Sequence, residues 1–95
     1  MSTNAYRVYP TKSDTFTFDV GHDEKLMDFF NEKIQFYLSL NFYGIGIVNV
    51  PVELLEQVTA LKEDLELDED TVKQIQLDIV DGKSRLGEVV SYHCF

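Results

Sequence analysis

The sequence contains no tryptophan, one cysteine, two prolines, two histidines and only eight basic residues against 17 acids. Each scarcity excludes something. A lone Cys94 cannot close an internal disulfide, so the fold rests on its core, as suits a reducing compartment. With so few histidines and thiols there is little material for a metal site or a nucleophile–base pair. No stretch approaches the ~20 apolar residues of a membrane helix, and the opening residues MSTNAYRVYP lack the apolar region of a secretory signal. The expected location is the cytoplasm. The shortage of bases leaves a formal charge of −9, which opposes direct contact with nucleic acid or an anionic membrane and makes any electrostatic partner basic.

What is present is enough to fold. With 44% hydrophobic residues the chain falls outside the composition of disordered segments, and its 95 residues suffice for one compact domain, 1–95. No repeat or low-complexity tract divides it. Tyr6 and Val8 flank Arg7 in an alternating pattern, and Thr15–Val20 alternates strictly, with Phe16, Phe18 and Val20 on one side; together these predict a β-hairpin. Gly21-His22-Asp23-Glu24 then opens a helix from Leu26 to about Leu40, whose apolar arc is about twice as wide as a surface helix needs. Leu26, Phe30, Ile34 and Tyr37 are expected to face a sheet. Phe29, Phe36 and Leu40, on one flank, are left to meet a second helix or another subunit, and they are the candidate residues for a homodimer.

Phe42–Val50 has almost no polar interruption and reads as a central strand covered on both faces, in which Gly44 and Gly46 leave a bare strip for close approach. Pro51 suits a helix start, and Val52 to about Leu67 forms an amphipathic helix with Leu54, Val58, Leu61 and Leu65 in its stripe. The last third fits two patterns. Ile75–Ile79 alternates and Asp81-Gly82 is a turn signal, which favours a hairpin leading into a strand over Leu86–Phe95; a helix through Val72, Ile75, Ile79 and Val80, opened at Asp68 or Asp70, also fits. The preferred order is β-β-α-β-α-β-β: an α+β (or small α/β) fold with two helices on a four- or five-stranded mixed sheet.

Motifs for chemistry are sparse. Gly44-Ile45-Gly46 lies inside a predicted strand rather than in the turn that opens a helix, so it does not read as a phosphate loop. His93 and Cys94 are adjacent on a strand and point to opposite faces. Asp19, His22 and Asp23 fit the capping of a strand-to-helix turn better than a metal site. Asp68-Glu69-Asp70 fails as a calcium loop because Val72 and Lys73 fall where an oxygen ligand and a glycine are required. No catalytic, cofactor or metal residue is assigned, and the chain reads as a non-enzyme without a cofactor.

Charge distribution is the informative feature. Residues 53–81 hold ten acids against two bases, net −8 of the chain's −9. Clustered like charge costs self-repulsion, and its physical use is steering toward a basic surface. The expected function is a small acidic binding protein that inhibits or masks a basic, nucleic-acid-acting protein such as a nuclease. The analogy, in size and charge, is to immunity proteins, antitoxins and phage anti-defence proteins, with carboxylates mimicking nucleic-acid phosphates. The candidate contact set is Glu53, Glu56, Glu63, Asp64, Glu66, Asp68, Glu69 and Asp70. The alternative is an assembly subunit that acts by self-association, through the apolar flank or an exposed edge strand.

Overall fold

A computed structural model describes residues 3–84 and 88–95 and shows an α+β fold, three helices packed on one face of a four-stranded antiparallel sheet. Strands β1 (Asn4–Tyr9) and β2 (Phe16–Asp19) form the expected hairpin. Helix α1 (Glu24–Ile34) leads through a 3₁₀ turn, Phe36–Ser39, into β3 (Gly46–Pro51). Helices α2 (Val52–Ala60) and α3 (Glu69–Lys83) follow, and β4 (Val89–Cys94) closes the sheet in the order β2-β1-β4-β3. Among the described residues, no helix is long and apolar enough to cross a membrane.

Several boundaries differ from the pattern-based reading, each for a local reason. The expected helix from Leu26 to Leu40 stops at Ile34, where Gln35 adopts a left-handed conformation (φ 52°) and its N–H donates to the Asn31 carbonyl. That break turns Phe36 into the core, where its ring lies 5.7 Å from Phe30 and 5.9 Å from Phe18. Phe36 is therefore wholly buried and cannot meet a second subunit, while Tyr37, expected to face the sheet, is exposed; Phe29 and Leu40 are half-buried against the core.

Strand β3 is an edge strand with alternating exposure, not a doubly covered central one. Residues 42–45, expected as its first half, form a turn in which Gly44 has φ 78°. The close approach expected at Gly46 is present: a side chain there would collide with the Ser39 carbonyl, because the 3₁₀ turn crosses directly over the strand. Across the sheet Ala5, Cys94 and Gly46 form one inward row of small residues, which makes room for the rings above it.

Residues 71–80 are helical, so the preferred hairpin is wrong and the alternative helix correct. Asp68 caps that helix by accepting from the Thr71 N–H at 2.7 Å, and Glu69 and Asp70 occupy its first turn, where the helix dipole favours acids. The signal at Asp81-Gly82 belongs to this helix: Gly82 is buried where α3 passes over Val52 and Val90. Leu86 and Gly87, read as the beginning of the last strand, lie outside the described residues.

A β-bulge explains why the alternation in Thr15–Val20 misleads. Ala5 pairs with Phe18 but Tyr6 pairs with Phe16, so Thr17 is an extra residue in β2. Phe16 turns outward while Thr17 and Phe18 both point inward and are buried. The remaining core is apolar, with Leu26, Met27 and Phe30 from α1 and Leu54, Leu55 and Val58 from α2 over Val48, Val50, Val90 and Tyr92.

Gly82 offers a direct test of the α3 packing. A Cβ there would lie 2.5 Å from a Val52 methyl and 2.8 Å from a Val90 methyl. Overpacking of that kind costs about 1–3 kcal/mol, more than the ~1 kcal/mol gained in helix propensity. Gly82→Ala is therefore expected to lower stability in urea titration; an unchanged or raised midpoint would contradict the packing.

Candidate functional site

The first place to seek chemistry is the interior, where one acid is fully buried. Asp78 lies on the stripe of α3 that packs on the sheet, and its carboxylate accepts from four side chains. Arg7 donates to Oδ1 at 2.6 Å and Gln74 to the same oxygen at 3.0 Å. The hydroxyls of Thr17 and Tyr92 each donate to Oδ2 at 2.6 Å. A carboxylate offers about four acceptor sites, so these donors occupy its capacity. Burial, reinforced by the adjacent Asp78 charge, pushes the Tyr92 phenol well above its ordinary range and keeps it a donor. Arg7 also approaches Asp81 at 3.3 Å and donates to the Thr11 carbonyl.

With its carboxylate fully buried and its acceptor sites taken, Asp78 ties α3 to the sheet. Removing one partner from a buried pair leaves an uncompensated charge, which typically costs about 3–5 kcal/mol. Asp78→Asn is expected to lose about that much stability, and Tyr92→Phe about 1.5–3 kcal/mol for one hydrogen bond to a charged group. Denaturant melts check both; losses under about 1 kcal/mol would show that the cluster is dispensable.

The other reactive groups are also spoken for. Cys94 faces the core, and burial pushes its thiol up to about 12, so it is a poor source of thiolate at neutral pH. His93 lies on the opposite face of β4 with its ring 4.6 Å from Phe95, as the alternation requires. Asp19, His22 and Asp23 form a hydrogen-bonded turn: Asp19 Oδ1 accepts from the Gly21 and His22 N–H groups, its Oδ2 meets His22 Nδ1 at 2.9 Å, and Asp23 accepts from the Asp19 N–H. Asp23 begins α1, but its side chain makes no capping bond to that helix. Among the described residues, no three metal-ligating side chains gather.

The surface acids are where the chemistry of recognition lies, and the structure divides the candidate set. All eight are exposed. Because α2 ends at Ala60, Glu63, Asp64 and Glu66 sit on the turns that follow it rather than on a continuous helical face. Glu56 pairs with Lys83 at 3.2 Å, near the C-terminus of α3, and Glu53 lies beside Lys33 at the end of α1. A 15-residue helix is about 22 Å long, so Glu56 is well separated from the acids at the other end of α3.

Those acids do come together. Glu63, Glu66 and Glu69 rim an open depression of about 750 Å³ between the α2–α3 connection and α3, with Leu67 and Val72 in its lining and Lys62, Lys73 and Gln76 around it. Asp68 and Asp70 line a separate, smaller depression with Thr15, Phe16 and Lys73. Asp23 and Glu24, at the start of α1, join Glu66 around a third hollow, where Lys25 pairs with Glu66 at 3.1 Å. Burial pushes the Asp23 carboxyl up against the opposing hydrogen bond from Asp19, and the charges of Asp19 and Asp68 push it further.

The acidic surface is thus an end of the molecule assembled from two connections distant in sequence. The contribution of Asp23 and Glu24 was not legible from the chain, although their place at the start of a helix gave a partial signal. Asp78 and Asp81, counted in the net −8, are drawn inward to Arg7 and add little to that surface. No protein-family model, curated protein or solved structure matches the chain.

Proposed function

We propose that this protein is a small non-enzymatic binding protein that inhibits or masks a basic protein, and that the depression beside α3 receives the partner. One observation supports this above the rest: Leu67 and Val72 supply apolar surface in a depression rimmed by Glu63, Glu66 and Glu69. Arginine and lysine have the matching two parts, an apolar stem and a cationic head. A basic side chain laid into this depression would bury its stem on the leucine and valine while its head meets the carboxylates. Its approach would displace the exposed Lys25–Glu66 pair, a pair of a kind worth only ~0–1 kcal/mol.

The acids around the depression would steer such a partner by their long-range field. Basic sites of this kind hold phosphates in nucleases and nucleic-acid-binding effectors, and the carboxylates here would stand in for them. Lys62 and Lys73 on the rim add selectivity, since a partner must place its cations away from both. On this reading the protein is of the immunity, antitoxin or anti-defence type, acts in the cytoplasm, and uses neither a cofactor nor direct contact with nucleic acid or membrane.

Capture from the native host's lysate tests the assignment with two charge-reversed variants. Glu63→Lys/Glu66→Lys/Glu69→Lys alters the depression, and Glu53→Lys/Glu56→Lys alters the distant acids. The expected result is one basic protein retained by the wild type and the second variant but lost with the first, with retention weakening as salt rises from about 50 to 300 mM. Retention by all three, or loss with both variants, would refute the depression as the binding seat.

A further inference from the structure

Glu66 stands between two hollows. It rims the depression beside α3 and also lines the smaller hollow at the start of α1, with His22, Asp23, Glu24, Lys25 and Leu65. Among the described residues, it is the one carboxylate of the depression's rim that a cation already holds: Lys25 Nζ lies 3.1 Å from its Oε1, while Glu63 and Glu69 make no ion pair.

Both members of this pair occupy positions that local structure assigns to other residues. Lys25 is the second residue of α1, in the first turn, where the helix dipole disfavours a cation. Glu66 has φ 55°. Its N–H donates to the Glu63 carbonyl at 3.2 Å and the Leu67 N–H donates to the Lys62 carbonyl at 3.0 Å. These two bonds close a helical turn around a left-handed residue, a place that favours glycine. The stability returned is small, because both side chains are more than half exposed. Two locally disfavoured residues that meet for little gain in folding point to a use in binding.

Resting on the reading of the depression as the seat of a basic partner, we infer that Lys25 is a resident competitor for that seat. Its ammonium holds the Glu66 carboxylate in the free protein, and an incoming basic side chain takes the carboxylate from it. The apparent affinity is then set by the fraction of molecules in which Glu66 is free. A guanidinium presents two parallel N–H groups to one carboxylate and is the group equipped to win this exchange. Once displaced, Lys25 remains beside Asp23 and Glu24 in the same hollow, so its charge stays compensated. The competition is confined to this end of the molecule. On the uncovered face of the sheet, Phe16, Tyr6, His93 and Ile47 form one outward row without formal charge, which offers a cation nothing to hold.

Calorimetric titration of the full chain with a short arginine-rich peptide, at about 50 mM salt, reads this competition. Lys25→Met keeps the apolar stem and removes the ammonium, and it is expected to tighten the peptide about two- to fivefold, the range of one exposed ion pair. In a Glu66→Gln background the same substitution is expected to change the affinity less than about 1.5-fold, because no carboxylate is left to compete for. Equal tightening in both backgrounds would show a general effect of net charge, and no tightening in either would show that Lys25 does not compete; each result would overturn the inference. The seat itself is judged separately, with Glu63→Lys/Glu66→Lys/Glu69→Lys. A peptide that the wild type does not bind, or that this variant binds as tightly, would refute the seat and the competitor with it. A peptide lost to this variant but indifferent to Lys25 would leave the seat standing and remove the competitor alone.

Discussion

The buried carboxylate of Asp78 is the constraint on which the remaining architecture depends. Its four donors come from β1, β2, β4 and α3 itself, so one side chain ties the last helix to three of the four strands. Satisfying it dictates local irregularity. The bulge in β2 turns Thr17 inward, and the strand alternation places Arg7 beside Tyr92 on the covered face. A buried acid with incomplete partners would be costly, whereas this one has a guanidinium and three neutral donors. The network also fixes the rotation of α3, which carries both Gly82 against the sheet and the acids of its first turn at the opposite end.

That placement sorts charge over the molecule. Asp78 and Asp81, on the inner side of α3, share the single cation of Arg7, whereas the acids at its start and on the preceding turns remain exposed. Asp68, Glu69 and Asp70 each suit the beginning of a helix, so part of their presence is explained by capping and the helix dipole. Glu63 and Glu66 have no such role in a helix terminus. Their convergence with Glu69 around Leu67 and Val72 makes the depression more than a solvated helix end. The uncovered sheet face is the complement of this arrangement, since its outward row is free of formal charge.

Much of the architecture was legible because periodicity reports burial. The first hairpin, the α+β class, the two-sided placement of His93 and Cys94, and the close approach at Gly46 all follow from alternation or from a missing side chain. The errors have physical causes. A bulge breaks the period of two at Thr17, and a left-handed Gln35 ends a helix whose apolar pattern continues. In α3 the run Ile75–Ile79 satisfies both the strand and the helix period, and only its packing decides. Reading it as a helix would have placed Asp78 on the apolar stripe with Val72, Ile75 and Ile79, which is the available signal that this acid is buried and needs a partner. The candidate acids were selected by density along the chain; their division into a depression, a helix cap and two distant residues is a tertiary property. The open sheet face was hidden for the same reason, because an outward aromatic row resembles an inward one until the layers are known.

The most direct measurement of this charge segregation is a chemical-shift titration of the nitrogen-15-labelled protein with a short arginine-rich peptide. Amide shifts are expected to move at Lys62–Gln76 and at the adjoining residues 22–25 around the start of α1, while those of Tyr6, Phe16, Ile47 and His93 stay in place. Shifts centred on the sheet face, or spread evenly over all exposed acids including Glu53 and Glu56, would contradict it.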